Sequence, residues 1–262
     1  MTTVDLVVNC FERNYRNVLR PGFFPDVARQ CDFDFARRVA LINNVDHPRE
    51  VLELGQTLQE LGDIDEVVLV ADRLTDALET TGLTREELGR VPHYTDCALV
   101  AATLPGSPWL IYWDPDVTIA QPCDWITPAI ALLDADPRLL AASPNWTTPE
   151  LLQAESREPS GEFQIGPGFS DQLFLARRAD LARPIYGHRC VASWRYPMSH
   201  IAMIFEARVD AFMRRTGKLR AVHRECRYTH VERPPGTHLR PETLPERLRK
   251  TRNRWARKLG LV

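Results

Sequence analysis

The sequence predicts an α/β protein with a mostly parallel sheet, and three observations support this fold class. Short apolar runs alternate with segments of helical periodicity through the first 120 residues. Each apolar run ends in polar residues, which is typical of parallel strands that open onto a ligand crevice. The chain has 262 residues, of which 44% are hydrophobic and 26% charged, so one continuous core is expected.

The predicted elements of the first half follow the chain as alternating strands and helices. Buried apolar runs predict the strands, and apolar residues spaced three and four apart predict the helices. A capping-box pattern at Thr84–Glu87 adds one short helix. The predicted strands cover residues 4–10, 38–44, 65–71 and 109–113, and the predicted helices cover 27–31, 49–61 and 95–104.

The second half is less regular. Asp124 is placed to cap a helix over 124–133, and residues 200–214 carry a core-facing helical stripe. Residues 143–169 have no periodicity and predict a mobile functional loop. Residues 173–176 are apolar, and residues 219–231 predict a strand. We expect one domain over residues 1–232, followed by a Pro-rich linker and basic helix over 233–262.

Composition and charge exclude several classes of protein. The net charge of −2 argues against a general polyanion binder, and no nucleic-acid partner is expected. Six cysteines are scattered without a CxxC pair, so we expect reduced thiols in a cytoplasmic protein. Neither a signal peptide nor an apolar run long enough to span a bilayer is expected.

The apolar run 109–113 leads directly into Asp114-Pro115-Asp116. A bend at Pro115 would bring the two carboxylates to one point, where they repel by about 4 kcal/mol at an effective dielectric of 20. A bound divalent cation would relieve that repulsion, as would protonation of one acid. The sequence therefore predicts a metal and phosphate site at this strand end. The alternative is a solvated turn, in which Asp and Pro are common.

These motifs together resemble the GT-A glycosyltransferases of the family 2 type. The matching parts are the first strand and loop at 7–13, the helix before the aspartates, Asp114-Pro-Asp116, Ser170-Asp-Gln172 and a late Tyr-Thr-His230. Their order fits over about residues 4–231. The resemblance implies a Rossmann-like GT-A fold and transfer of a sugar from a nucleoside-diphosphate sugar to an acceptor hydroxyl. The acceptor could be a polysaccharide, a lipid-linked molecule or a small molecule.

The resemblance implies a metal site. Asp114 and Asp116 match the aspartates that hold Mn²⁺ or Mg²⁺ against the donor diphosphate, where the cation neutralises the leaving group. His230 stands where some of these enzymes place a late metal ligand. The alternative for His230 is a strand-end histidine bonded to nearby backbone.

The resemblance also implies catalytic residues. Asp171 matches the general base that deprotonates the acceptor hydroxyl, and Gln172 would lie near the sugar. The alternative is that Ser170 or Asp171 caps the next element. The chain reads Ser-Asp-Gln in place of the usual Glu-Asp pair, and only Trp194-Arg195 is similar to the QxxRW motif, so inversion and retention both stay open.

Donor binding is expected at the ends of the early strands. Arg13 could meet a phosphate with its fork of donors, and Asn44 and Asp72 could contact the base and ribose. Asp96 could contact the same group, or it could be an acid at a helix N-terminus. Asp114 is expected to meet the donor through the metal. Asn145 and Trp146 are weaker candidates for the sugar or the acceptor.

The C-terminal residues 244–259 form a basic amphipathic segment. Leu244, Leu248, Trp255 and Leu259 fall on one helical stripe among Arg and Lys. We expect this stripe to pack on the domain. The alternative is peripheral contact with a membrane.

Two other functions fit parts of the pattern. Asp114-Pro-Asp116-Val-Thr118 resembles the first motif of haloacid-dehalogenase phosphatases, with Asp114 as nucleophile. That chemistry also needs a downstream lysine, and only Lys218 precedes the tail. A catalytically inactive nucleotide-sugar-binding relative is the third possibility.

Overall fold

A computed structural model of the chain describes residues 2–231 and 241–259. The strands form one mixed sheet flanked by helices. The strands are β1 (Val4–Cys10), β2 (Arg37–Ile42), β3 (Glu66–Leu69), β4 (Trp109–Trp113), β5 (Val117–Ile119), β6 (Leu139–Asn145), β7 (Glu158–Ser160), β8 (Phe163–Gly166), β9 (Leu173–Arg177) and β10 (Leu219–His230). The helices are α1 (Tyr15–Val18), α2 (Phe23–Cys31), α3 (Pro48–Glu60), α4 (Val70–Thr81), α5 (Asp96–Thr103), α6 (Ile126–Ala135), α7 (Pro149–Glu155), α8 (Arg178–Leu181), α9 (Phe205–Thr216) and α10 (Leu244–Lys258).

The sheet has the order β3-β2-β1-β4-β9-β6-β10-β8-β7, and β5 pairs with the end of β10. Strands β1 to β4 are mutually parallel, and β6 and β10 run in the same direction. Strand β9 is inserted antiparallel between β4 and β6. The predicted α/β class, with a mostly parallel sheet between helices, is confirmed.

Strand β4 shows how the core is divided between the two faces of the sheet. Its side chains alternate, so Ile111 and Trp113 pack with α2, α3 and α6 on one face. Leu110 and Tyr112 pack with α4, α5 and α9 on the other face. All five residues of β4 are buried, which explains their continuous apolar sequence.

The strand order reverses beside β1. The chain adds β2 and β3 on one side of β1 and then returns to place β4 on its other side. The loops that leave β1 and β4 therefore diverge, and such a switch point opens a crevice at the carboxyl ends of the strands. Arg13 follows β1 and Asp114 follows β4, so two predicted site residues flank this point.

The prediction that residues 143–169 lack regular structure is wrong. This segment contains the end of β6, helix α7 and the β7–β8 hairpin. Helix α7 has only seven residues, begins at Pro149 and is capped by the Thr148 hydroxyl, which accepts the Leu151 N–H at 3.4 Å. Elements this short carry too few residues to show a period.

Several predicted boundaries also shift. Strand β3 ends at Leu69 and α4 begins at once, so Asp72 lies in a helix and not in a loop. Helix α9 begins at Phe205, five residues later than predicted. The predicted domain boundary between residues 232 and 233 lies outside the described residues.

We expected the apolar stripe of α10 to pack on the domain, and this prediction is wrong. Its large apolar side chains and that of Leu259, the residue that caps its C-terminus, are exposed, while Glu246, Asn253 and Ala256 are buried. The reason is that α10 contacts the domain through an ion pair and hydrogen bonds, and these contacts place its polar face against the domain.

All six cysteines are free thiols, as predicted.

Among the described residues, none of the helices combines the length and apolarity needed to cross a bilayer.

Candidate active site at the carboxyl edge of the sheet

Asp114 and Asp116 form a tight turn directly after β4. The Asp116 N–H donates to Asp114 Oδ1 at 3.0 Å, and the Val117 N–H donates to the Asp114 carbonyl at 3.1 Å. Both aspartates are partly buried. The turn holds the Asp114 carboxylate against the backbone of Asp116, and the same geometry would serve a purely structural turn.

Asp171 and Gln172 lie beside this turn. The β4–β9 pairing ends with Trp113 opposite Leu173, and the Asp114 N–H donates to the Gln172 carbonyl at 2.7 Å. A strand follows Asp171, so the alternative in which Ser170 or Asp171 caps a helix is wrong. The predicted catalytic and metal-binding residues thus come together from positions more than 50 residues apart.

The end of β10 brings His230 to the same turn. His230 pairs with Val117, and the Val231 N–H donates to the Asp116 carbonyl at 2.8 Å. The His230 side chain is exposed. On the same strand, the Tyr228 hydroxyl donates to Gln172 Oε1 at 3.3 Å, so β10 also contacts the predicted catalytic residue Gln172.

The donor set fits a hard divalent cation in type, because two carboxylates stand on one turn and carboxylate oxygen is what Mg²⁺ and Mn²⁺ prefer. Within residues 2–231 and 241–259, no group of three or more His, Cys, Asp or Glu side chains is arranged to hold a metal ion. The triad of Asp114, Asp116 and His230 stays a prediction.

Arg13 and Asn44 lie on neighbouring loops after β1 and β2. The Glu12 N–H donates to the Asn44 carbonyl at 3.3 Å, which joins the two loops. Asn44 has a φ of 49°, a left-handed conformation that asparagine tolerates, and both predicted side chains are exposed. These loops border the switch point next to β4.

Asp72 and Asp96 are placed differently from Arg13 and Asn44. Asp72 is exposed in the first turn of α4. Strand β3, which precedes this helix, lies three strand spacings, about 14 Å, from β4. Asp96 is buried at the start of α5, where its Oδ1 accepts the Cys97 N–H at 2.7 Å and the Asn43 amide at 2.8 Å. Burial raises the pKa of Asp96. These contacts match the helix-terminal alternative for this acid.

Asn145 and Trp146 follow β6. Asn145 is fully buried, and its Oδ1 accepts the Thr147 N–H at 2.8 Å. Its Nδ2 is buried without a hydrogen-bond partner in the described part of the chain. Trp146 is 47% exposed. The pair therefore offers one buried donor and one accessible aromatic ring.

A charged cluster beside Asp171 was missed by the sequence analysis. Glu206 lies in the first turn of α9, and burial together with the nearby Asp171 carboxylate raises the pKa of Glu206 well above its ordinary value. The guanidinium groups of Arg220 and Arg195 act in the opposite direction. The only sequence signal was the Trp194-Arg195 pair, because Glu206 lies in the first turn of an ordinary amphipathic helix, 35 residues beyond Asp171.

The turn before Asp171 is held from the 194–200 segment. The Tyr196 hydroxyl accepts the Phe169 N–H and donates to the Phe169 carbonyl, both at 3.1 Å. Gly168 has a φ of +107°, and a Cβ there would lie 2.6 Å from Arg195 Nη2. The positive φ favours glycine at this position, because other residues rarely adopt that conformation.

The phosphatase alternative lacks a lysine at this site. Lys218 precedes β10 at the amino edge of the sheet, where its ammonium group donates to the Pro137 carbonyl at 2.6 Å. Asp114 lies at the opposite, carboxyl edge, because β4 and β10 run in the same direction. Lys218 cannot serve as the partner of an Asp114 nucleophile.

No protein-family model and no curated protein matches the chain. Among solved structures, it is similar to GalNAc-T7 with UDP, GalNAc and Mn²⁺, at a TM-score of 0.49 and 13% identity over 97% of this chain and 48% of that one. The chain thus spans about half the length of GalNAc-T7. It is also similar to a mycobacterial protein, at a TM-score of 0.46 and 13% identity over 89% of this chain and 69% of the other. Because both TM-scores are below 0.5, the functional assignment depends on the site geometry.

Proposed function

We propose that this protein is a glycosyltransferase that moves a sugar from a nucleoside-diphosphate sugar to an acceptor hydroxyl. One observation carries the proposal. Asp114, Asp116, Asp171, Gln172 and His230, which come from three separate parts of the chain, meet at the carboxyl edge of the sheet. This edge borders the switch point, where open α/β sheets bind their ligands.

The donor would lie across the loops that follow β1, β2 and β4. Arg13 would bind a phosphate, and Asn44 would contact the nucleoside. We retain Asp72 and Asp96 as weaker donor contacts. Asn145 and Trp146 would face the sugar or the acceptor.

Asp114 and Asp116 would hold Mn²⁺ or Mg²⁺ together with the oxygens of the diphosphate, a manner of binding that is usual for Mg²⁺. His230 would complete this set. When bound, the cation would neutralise the charge that develops on the leaving nucleoside diphosphate.

Asp171 would take the proton of the acceptor hydroxyl as general base. Its carboxylate lies in a turn fixed by Tyr196, and positioning of this kind is what a general base needs. Burial and the neighbouring Asp171 raise the pKa of Glu206, so Glu206 holds its proton more readily than an ordinary glutamate. Base catalysis by Asp171 predicts inversion at the sugar, whereas a retained configuration would favour a role for Gln172.

Calorimetric titration with UDP, GDP and dTDP, each with and without Mn²⁺, tests the proposal. We expect at least one nucleoside diphosphate to bind more tightly with the metal. A screen of nucleotide sugars for slow hydrolysis would then identify the donor, and the anomer of the product would report the stereochemistry. Absence of metal-dependent binding to all three nucleotides would contradict the proposal. Binding without hydrolysis or transfer would favour an inactive relative.

A further inference from the structure

Helix α10 is attached to the domain through its polar face. Glu246 accepts two hydrogen bonds from the guanidinium of Arg90, both at 2.8 Å. Asn253 Nδ2 donates to Ser199 Oγ at 3.2 Å, and Arg249 Nε donates to the His200 carbonyl at 2.7 Å. A capping box formed by Thr243 and Glu246 fixes the start of the helix. The orientation of α10 about its axis is therefore set by specific contacts.

The opposite face of α10 is apolar and exposed. Leu244, Leu248, Trp255 and Leu259 have exposed fractions of 70%, 63%, 59% and 67%. At 100° per residue these four side chains fall within an arc of about 60°. We call them the apolar stripe. Single exposed apolar residues are common, but four on one stripe of one helix mark an interaction surface.

Basic residues border the apolar stripe. Arg247, Arg254 and Lys258 are exposed along one of its sides. The helix carries seven Arg or Lys residues and a single acid, Glu246, which is bound to Arg90. The whole chain has a net charge of −2, so positive charge is concentrated on this one surface.

From this combination we infer that α10 docks onto an anionic lipid bilayer. The apolar stripe would enter the boundary between headgroups and acyl chains, and the bordering cations would meet anionic headgroups. Trp255 suits such a boundary because an indole ring is amphipathic. A second copy of this face would bring like charge against like charge, which disfavours self-association. A nucleic-acid backbone would satisfy the cations and leave the four apolar side chains without contacts. This inference does not depend on the proposed sugar transfer.

Sedimentation with vesicles tests the inference with the full chain. We expect binding to vesicles that contain phosphatidylglycerol, weaker binding to phosphatidylcholine alone, and loss of binding as the salt concentration rises. The triple variant Leu244→Ser, Leu248→Ser, Leu259→Ser should lower the affinity for phosphatidylglycerol vesicles more than tenfold. The control is Leu61→Ser with Leu151→Ser, which removes leucines outside α10 that are 60% and 57% exposed and should bind like the wild type.

A charge variant tests the second half of the inference. Arg247→Gln with Arg254→Gln should weaken vesicle binding and flatten its salt dependence, while Arg49→Gln with Arg73→Gln, two exposed arginines elsewhere, should not. The inference would be overturned if the wild-type protein did not bind anionic vesicles, or if the triple variant bound them as tightly as the wild type. Binding to duplex DNA or RNA in place of vesicles would assign the face to nucleic acid. A dimer in light scattering that the triple variant abolishes would assign it to self-association.

Discussion

The carboxylates at the two edges of the central sheet have different surroundings. At the amino edge, the buried Asp5 accepts hydrogen bonds from Arg178 at 2.7 Å and Arg37 at 2.9 Å, with a further one from the Ser107 N–H at 3.1 Å. At the carboxyl edge, Asp114, Asp116 and Asp171 lie together on adjoining turns. At the amino edge, two guanidinium groups bind the buried Asp5, and at the carboxyl edge three acids lie on adjoining turns.

This contrast separates a structural carboxylate from candidate functional ones. The guanidinium groups around Asp5 offset its burial, so that acid helps to hold β1, β2 and α8 together. At the other edge, burial and, after it, the neighbouring Asp171 carboxylate raise the pKa of Glu206. Accumulated negative charge has little structural value and is typical of a site that binds a cation or moves a proton.

Replacement of Asp5 should produce the largest change in stability. Asp5→Asn leaves Arg178 buried without its charge partner, so we expect the free energy of unfolding to fall by about 3–5 kcal/mol. Denaturant unfolding measures this. The control is Asp65→Asn, which breaks an exposed pair with Arg38 and should cost less than about 1 kcal/mol. Equal losses in the two variants would show that the amino edge is no different from the surface.

Asp171→Asn should mainly affect turnover. Loss of a general base lowers the rate about 10²–10⁴-fold, and the amide keeps the shape of the side chain. We expect donor binding in calorimetry and the unfolding midpoint to stay near wild type. A variant that turns over normally, or one that loses donor binding together with activity, would remove the assignment of Asp171 as base.

Asp116→Asn should abolish the effect of Mn²⁺ on nucleotide binding. One carboxylate charge is lost from the turn, so we expect at least about tenfold weaker binding in the presence of the metal, by analogy with losses at other metal sites. Calorimetry with and without Mn²⁺ measures the effect, and Asp76→Asn, an exposed acid on α4, serves as control. Unchanged metal dependence would leave Asp114-Pro-Asp116 as a structural turn.

Glu206→Gln should have the smallest effect, a change in how stability depends on pH. The folded-state pKa of Glu206 is raised, so the folded protein binds its proton more tightly than the unfolded chain. Stability is therefore lost as the pH rises above the ordinary glutamate value, and the variant should escape this loss. Thermal unfolding at pH 5 and pH 8 should show a relative gain for the variant at pH 8. The exposed Glu79→Gln is the control, and a gain of equal size at both pH values would contradict the prediction.

The sequence predicted the regular half of the fold well. Strands β1, β2 and β4 are buried on both faces, so their apolar runs are unbroken and easy to recognise. Helix α7 and the β7–β8 hairpin were not predicted, because they are too short to show a period. The face that α10 buries could not be predicted, since periodicity identifies an apolar stripe but not the ion pair between Glu246 and Arg90, whose partners are 156 residues apart.

The candidate site was predicted in part for similar reasons. Asp114 and Asp116 are neighbours in sequence. Their order along the chain relative to Asp171 and His230 was the basis for predicting that these residues share a site. Glu206 reaches the site only through packing of α9, so its position in the chain gave no signal. The burial of Asp96 beneath Asn43 is likewise a tertiary contact that a strand-end pattern does not contain.

In the long strand β10, the imidazole of His223 helps to fix the position of the strand end that carries Tyr228 and His230. Its pairing with β6 is interrupted between Val222 and Arg227, and within this bulge His223 Nδ1 accepts the N–H groups of Glu225 and Cys226 at 3.2 and 2.9 Å. A slip of one residue beyond the bulge would turn Tyr228 and His230 to the opposite face. Only an unprotonated Nδ1 can accept these bonds, and burial lowers the pKa of His223. Acidification below the ordinary histidine range would thus loosen the strand end that carries His230.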